Sequence, residues 1–297
     1  MEASRSLIQK NNFKVYLCMA VLTFILGLLG TCISYYLHWG LTGTGAFLIM
    51  SGIINFIAYY FSDRIILHIS GAKSLTREQS PDLFVMVENL CRENNLPVPK
   101  LYLIDEDAMN AFATGRNANH AVVAVTRGLL EKLEINEVRG VVAHELSHIK
   151  NGDMRLMAII AIVAGFISIL ADMYWQGVNR SKASEKDRSG AVAIVGALLS
   201  LFAPLTAMFI QLAISRRREF VADASGAEMT QNPSWLASAL RKISMDRRPL
   251  PSMSATTAHL YISTPFQSAG WIDHLFSTHP SIEDRIAILN SLESRKI

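Results

Sequence analysis

From Val15 to Ser62 the chain carries no Asp, Glu, Lys or Arg, a charge-free run of 48 residues. A bilayer core is crossed by about 20 apolar residues in helical form, so a run of this length holds two spans. Glycines and hydroxyls at residues 38 to 45 (HWGLTGTG) mark the turn between them. A cleaved leader would need an apolar core of only about 7–15 residues ending at a small-residue cleavage site, and none ends the first span before the second begins. The run therefore reads as an uncleaved membrane anchor. Composition agrees: 51% of the residues are hydrophobic and 18% charged, against about 25% charged in soluble globular chains. The net charge of +3, without a basic stripe interleaved with aromatics, argues against nucleic acid. The three cysteines, Cys18, Cys32 and Cys91, form neither a disulfide framework nor a metal-binding CxxC.

Two more apolar segments come later in the chain. Leu156 to Ala171 is short for a crossing and is followed by Asp172. Ser189 to Ser215 is free of charge over 27 residues and contains Pro204. Arg5, Lys10 and Lys14 before the first span, and Arg64, Lys73 and Arg77 after the second, place both flanks in the cytoplasm by the positive-inside rule. Arg216, Arg217 and Arg218 after the fourth segment ask for the same side. Arg180, Lys182, Lys186 and Arg188 between segments three and four disagree if both segments cross. These two either cross, which is the expectation, or form a hairpin partly buried in protein. The chain thus divides into a tail with two spans (1–62), a block at 63–155, hydrophobic segments three and four (156–215), and a carboxy-terminal block at 216–297.

The first block reads as mixed. Periodicity predicts a helix over Ser80–Asn95, and Pro97 and Pro99 break it. Strands are expected at Lys100–Ile104, Asn110–Thr114 and Ala121–Thr126, the last two joined by a hairpin rich in Asn and Gly. A short helix over Arg127–Leu133 comes next. A longer one runs from Glu137 to Lys150, with Asn136 as cap and Asn151-Gly152 as stop. In the second block, Ser234–Met245 and Ser281–Leu292 read as helices around a loop-like stretch at 247–270.

The chemistry sits on the long helix, in VVAHELSHIKNGD at 141–153. Residues four apart share a helix face, so His144 and His148 can aim two imidazoles at one point. Zinc takes neutral imidazole nitrogens at about 2.0–2.1 Å and prefers four ligands. Glu145 can take a proton from a water that the metal acidifies. The bland alternative is three polar residues on an amphipathic helix. Their neighbours, however, are Val141, Val142, Ala143, Leu146 and Ile149, and polar groups buried without a partner in such surroundings are costly. A third ligand is sought in RRREFVADASG at 216–226. There Glu219 is placed to bind the metal, and Asp223, one turn on, to accept a hydrogen bond from a ligand histidine. A salt-bridged face with Arg216–Arg218 is the plain alternative.

HELSH followed by NGD, then REFVADASG after a hydrophobic pair, then STHPSIEDRI near the end, resembles the HtpX-type bacterial membrane zinc metallopeptidases, relatives of the CaaX prenyl proteases, over nearly the whole chain. The resemblance implies a mainly α membrane protein with four hydrophobic helices, plus an α+β zincin-like cytoplasmic catalytic domain with a small antiparallel sheet. It implies one Zn²⁺ per chain held by His144, His148 and Glu219, with Glu145 as base. It also implies residence in the bacterial inner membrane, an active site facing the cytoplasm, and membrane-protein or misfolded-protein substrates in proteolytic quality control. His279 matches a histidine near the zinc in related enzymes, where it can donate to the developing oxyanion. Arg285 can orient His279 or pair with Asp223. Asn110, Ala111 and Phe112 match an edge strand beside the cleft, to which an extended substrate can add; a plain hairpin strand is the alternative. A transporter would want polar groups lining its spans, and the first two carry no charge. An inactive scaffold finds no support, because every key residue is present.

Overall fold

The computed structural model describes residues 2–36, 38–180, 216–246, 248–251, 253, 257–262 and 280–294. Helix α1 (Glu2–Tyr36) and helix α2 (Gly40–Ile69) form a hairpin. The turn between them is made with His38 and Gly40 in the left-handed region, at φ 55° and 60°. Close approach is set by small residues: a methyl on Gly30 would stand 2.3 Å from the Cβ of Phe47. Inside the pair, the Asn55 amide and the Ser51 hydroxyl both donate to Thr23 Oγ1, at 2.9 and 3.0 Å. Large side chains such as Phe24, Ile49, Ile53 and Phe56 face outward. Ile8–Cys32 and Gly40–Ile69 are each long and apolar enough to cross a bilayer.

Four strands come next: β1 (Lys73–Ser74), β2 (Lys100–Ile104), β3 (Ala111–Thr114) and β4 (Val122–Thr126). Their order in the sheet is β1-β2-β4-β3. β3 and β4 form the expected antiparallel hairpin, with Ala111 opposite Val125 and Ala113 opposite Val123. The expectation of an antiparallel sheet fails at β2 and β4, which pair in parallel from Lys100↔Val122 to Ile104↔Thr126. The cause is topological. The chain leaving β2 passes to the far side of the sheet before forming β3, so the returning β4 slots between β2 and β3 and runs with β2. All five β4 residues are buried, as a strand covered on both faces requires.

Helix α3 (Pro81–Glu93) and helix α4 (Arg127–Lys132) flank helix α5 (Ile135–Asn151), which carries the histidines. α5 starts earlier than Asn136 would allow. Glu134 occupies the cap position, and its N–H donates to the Glu137 carboxylate at 2.8 Å. Glu137 also accepts from Ser238 and Lys242, at 2.6 and 2.7 Å, which ties the start of α5 to helix α8 (Pro233–Met245). Gly152 (φ 70°) ends α5, and the chain turns by 87° into helix α6 (Asp153–Arg180). Counted with α5 as one bent span, α6 would make a third crossing among the described residues. It also continues beyond Asp172, past the expected end of the third apolar segment. The fourth segment, Ser189–Ser215, lies outside the described residues, so the described helices supply two, or at most three, of the four expected.

Helix α7 (Arg216–Thr230) and helix α9 (Ile282–Ser294) complete the described chain. The main core gathers Leu83, Val87 and Leu90 of α3, Val141, Val142 and Leu146 of α5, and Leu236 and Leu240 of α8. α6 packs on α1 through Leu156, Ile160 and Val163 against Val15, Cys18 and Leu22. A third cluster joins the base of α2, the sheet, α6 and the later residues Leu250, Met253 and Leu260 through Ile66, Phe112, Met157 and Tyr261. α5 is therefore enclosed on nearly every side. At Gly140 the enclosure is close, since a methyl there would lie 2.7 Å from Leu236 N. Gly140→Ala is expected to cost about 1–3 kcal/mol by overpacking, although alanine is the better helix former. Thermal unfolding in detergent checks this, and an unchanged or raised midpoint would show the α5–α8 contact to be looser.

Candidate metal centre

α5 places His144 and His148 one turn apart with their Nε2 atoms 3.2 Å from each other. Glu219, in the first turn of α7, brings Oε2 to 3.7 Å from His144 Nε2 and Oε1 to 3.7 Å from His148 Nε2. All three side chains are buried, and their donor atoms lie within 4.8 Å of one another. α7 can come this close because Gly226 faces the backbone of His144; a methyl there would stand 3.0 Å from His144 N. Ser147 Oγ bridges the same two helices, donating to His144 O at 2.6 Å and lying 3.2 Å from Ala222 O.

The far nitrogens of the two rings meet carboxylates. His144 Nδ1 is 2.9 Å from Asp223 Oδ1, and His148 Nδ1 is 3.3 Å from Asp153 Oδ2. An Nδ1–H donated to a carboxylate leaves Nε2 with its lone pair outward. Two such lone pairs and a carboxylate oxygen converge here. Donors bound to a tetrahedral ion at about 2.0–2.1 Å stand about 3.3 Å apart, close to the separations found. The donor set thus fits a metal ion.

Charge points the same way. Among the described residues, Glu145, Glu219, Asp223 and Asp153 are buried beside the guanidinium groups of Arg218 and Arg285, so carboxylates outnumber guanidiniums where a cation would sit. Burial pushes the Glu145 carboxyl up to about 7, with the Glu219 charge adding to the rise. His148 is opposed by burial, but Asp153 and Glu219 outweigh that and raise it to about 9. At His148 the Asp153 and Glu219 carboxylates thus favour positive charge where a cation would sit. His144 is pushed down, first by its burial.

Glu145 accepts from the N–H of Ala113 and so lies against β3. Alternate residues of β3 turn their backbone groups away from β4. On that outward edge, Ala111 O accepts from Ile262 N at 3.1 Å. Asn110, Ala111 and Phe112 are all buried: the Asn110 side chain accepts from Ala111 N, and the Phe112 ring meets Tyr261 edge-on at 5.0 Å. Arg285 of α9, fully buried, grips Asp223 with two hydrogen bonds, Nε to Oδ2 at 2.8 Å and Nη2 to Oδ1 at 2.7 Å. Of the two partners open to Arg285 from sequence, Asp223 is the one among the described residues, and Arg285 meets it. His279 lies outside the described residues, as does His274. His259 is buried 3.0 Å from Met157 O and His120 is exposed on its turn, both away from the centre.

Sequence alone marks Asp153 as the end of the NGD that follows HELSH, beside a helix stop, and gives it no role at the metal. The stop is itself the signal, because a left-handed Gly152 folds the next side chain back onto His148. Asn11, which donates to Asp153 at 2.7 Å across 142 residues, has no local signal.

Membrane-capable helices joined to a buried His-His-Glu cluster define a membrane-type protein with a candidate metal centre. Residues 77–293 match the model of peptidase family M48. "Protease HtpX homolog" of Thermoanaerobacter pseudethanolicus is 42% identical over 289 residues, spanning 95% of this chain and 96% of that one. The homolog of the same description from Aquifex aeolicus is 44% identical over 260 residues, spanning 85% of each. The crystal structure of S. mikatae Ste24p shares the fold, with a TM-score of 0.52 at 18% identity over 96% of this chain and 66% of that protein. The chain belongs to peptidase family M48, among the HtpX-type membrane proteases.

Proposed function

We propose that the chain is a zinc endopeptidase of the bacterial inner membrane that cuts membrane or misfolded proteins at the cytoplasmic face, in the service of quality control. The observation that carries this is the convergence of His144, His148 and Glu219, each histidine backed by its own carboxylate. In this reading those three side chains hold one zinc ion. Zinc so held would polarise the scissile carbonyl and acidify the attacking water. Glu145 takes up that water's proton and passes it to the leaving amine; a carboxyl raised towards neutrality suits both halves of the task. His279 donates to the developing oxyanion. Asp223 keeps the His144 ring turned, and Arg285 keeps Asp223 in place.

Substrate is proposed to lie extended along the outward edge of β3 at Asn110–Phe112, because Glu145 touches that edge at Ala113. It would take the place Ile262 now holds. The catalytic blocks are 63–155 and 216–297, and the hydrophobic segments are 1–62 and 156–215. The cytoplasmic placement rests on the Lys and Arg pattern around the first two spans. Cleavage of membrane proteins is proposed because only Gly152 separates α5 from the apolar helix α6, so that in this reading the centre lies beside the bilayer.

Metal content tests the centre. Detergent-purified wild type is expected to hold about one zinc per chain and Glu219→Ala to lose most of it. Zinc retained in Glu219→Ala would place the third ligand elsewhere. No metal in either protein, with no binding or peptidase activity on adding zinc, would end the enzyme reading.

A further inference from the structure

The two histidines are supported in different ways. His144 leans on Asp223, and Asp223 is gripped by Arg285, so that support lies wholly within the soluble helices. His148 leans on Asp153, the first residue of α6. Asp153 is 2% exposed and accepts from Asn11 Nδ2 at 2.7 Å through Oδ1, the oxygen that also lies 3.7 Å from Arg218 Nη1. Asn11 is itself buried and belongs to α1, inside the first membrane-capable stretch.

We infer that Asp153 is the positioning residue of His148 and that Asn11 holds it in position, so that the first membrane helix builds part of the metal centre. The inference rests on the proposal that His148 holds the metal. Three further observations converge on it. Gly152 turns the chain through 87°, which swings Asp153 back towards the ring instead of onward along α5. α1 packs directly on that bend, since a methyl on Gly152 would stand 3.3 Å from Ile8 Cγ1. Two residues into α6, Arg155 donates to Asn12 of α1 and to Tyr59 of α2, at 3.2 Å in the second case. The bend is therefore clamped by both membrane helices, and one clamp, Asn11, ends on the carboxylate that faces a ligand ring.

A different role for Asp153 is plain helix chemistry. An acidic residue in the first turn of α6 favours that helix whatever lies beside it. The two roles separate by readout. Helix stabilisation moves the unfolding midpoint, whereas ring positioning moves metal affinity and the ligand field.

The experiment uses the full chain in detergent, with zinc affinity measured by competition against a chromophoric chelator. Absorption of the cobalt(II)-loaded protein and unfolding of the metal-free protein are recorded beside it. Asp153→Ala is expected to weaken zinc about 10–100-fold and to change the cobalt spectrum. Asp153→Asn, which keeps shape and an acceptor oxygen, should fold normally and fall between. Asn11→Ala, losing one hydrogen bond from a neutral amide to the Asp153 carboxylate, should weaken zinc about fivefold. Asn12→Ala, which loses the Arg155 contact but leaves Asp153 alone, should lower the unfolding midpoint similarly and leave zinc within about twofold. Unchanged affinity and spectrum in both Asp153 variants would overturn the role of Asp153. Equal losses in Asn11→Ala and Asn12→Ala would overturn that of Asn11. In either case wild type still holds zinc and Glu219→Ala does not, so the metal centre stands. A wild type that binds no zinc at all removes the centre and this inference with it.

Discussion

Glu145→Gln is expected to give a folded protein that still holds its metal and has lost peptidase activity by about 10²–10⁴-fold, the range for removal of a general base. That is about 3–5 kcal/mol of barrier at 1.36 kcal/mol per tenfold. Glutamine keeps the volume of the side chain and keeps an oxygen to accept the Ala113 N–H, so the loss should fall on kcat and spare metal content. Stability gives an independent check. Glu145 is buried, and its carboxyl is raised from an ordinary 4.5 to about 7. An acid raised in the folded state binds its proton more tightly there than in the unfolded chain. Its ionisation therefore costs stability, starting above about pH 4.5 and complete above about pH 7. Metal-free Glu145→Gln should accordingly unfold at or above the wild-type midpoint at pH 8 and match it at pH 4. In loaded wild type, kcat/KM should fall on the acid side as Glu145 takes up its proton, with the limb at or below about pH 7 because a nearby cation favours the carboxylate. Activity retained in Glu145→Gln would remove it as the base, and an acid limb well above pH 7 would assign that limb to another group.

Distance along the chain separates the features legible in the sequence from those that are not. HELSH and the Glu219–Asp223 pair are legible because ligands four apart share a helix face, and both stretches are helical. The charge-free run from Val15 to Ser62 is legible because a bilayer imposes a length. The parallel pairing of β2 with β4 is not, since an apolar alternation looks the same whichever way its neighbour runs. The start of α5 is obscured because Asn136 is a good local cap, whereas Glu134 and Glu137 cap the helix jointly with help from Ser238 and Lys242 on α8. Asn11 is invisible because nothing near it in sequence concerns metal. Its role arises only where α1 meets the bend at Gly152.

Arg285 is the other position where a large effect is expected. It is fully buried, bonded twice to Asp223, once to Ile262 O at 3.1 Å, and 3.6 Å from Glu219. Arg285→Met keeps much of the apolar stem but strips Asp223 of its partner in a site without solvent. Breaking a buried pair from one side costs about 3–5 kcal/mol, because the remaining charge stays uncompensated. Asp223→Asn removes that charge, so the double variant should be less destabilised than the two single losses summed, by about 0.5–3 kcal/mol. Unfolding of the four proteins at one pH measures this coupling, and strict additivity would show that the two side chains do not act as a pair. Metal affinity should respond in step, since Asp223 without its arginine no longer fixes the His144 ring. Each variant that loses the pair should bind zinc about 10–100-fold more weakly than wild type. Arg285→Met that is destabilised but binds zinc as tightly as wild type would confine Arg285 to the core of the fold. Loss of both together would mean that the contact joining α9 to α7 also sets the geometry of the centre.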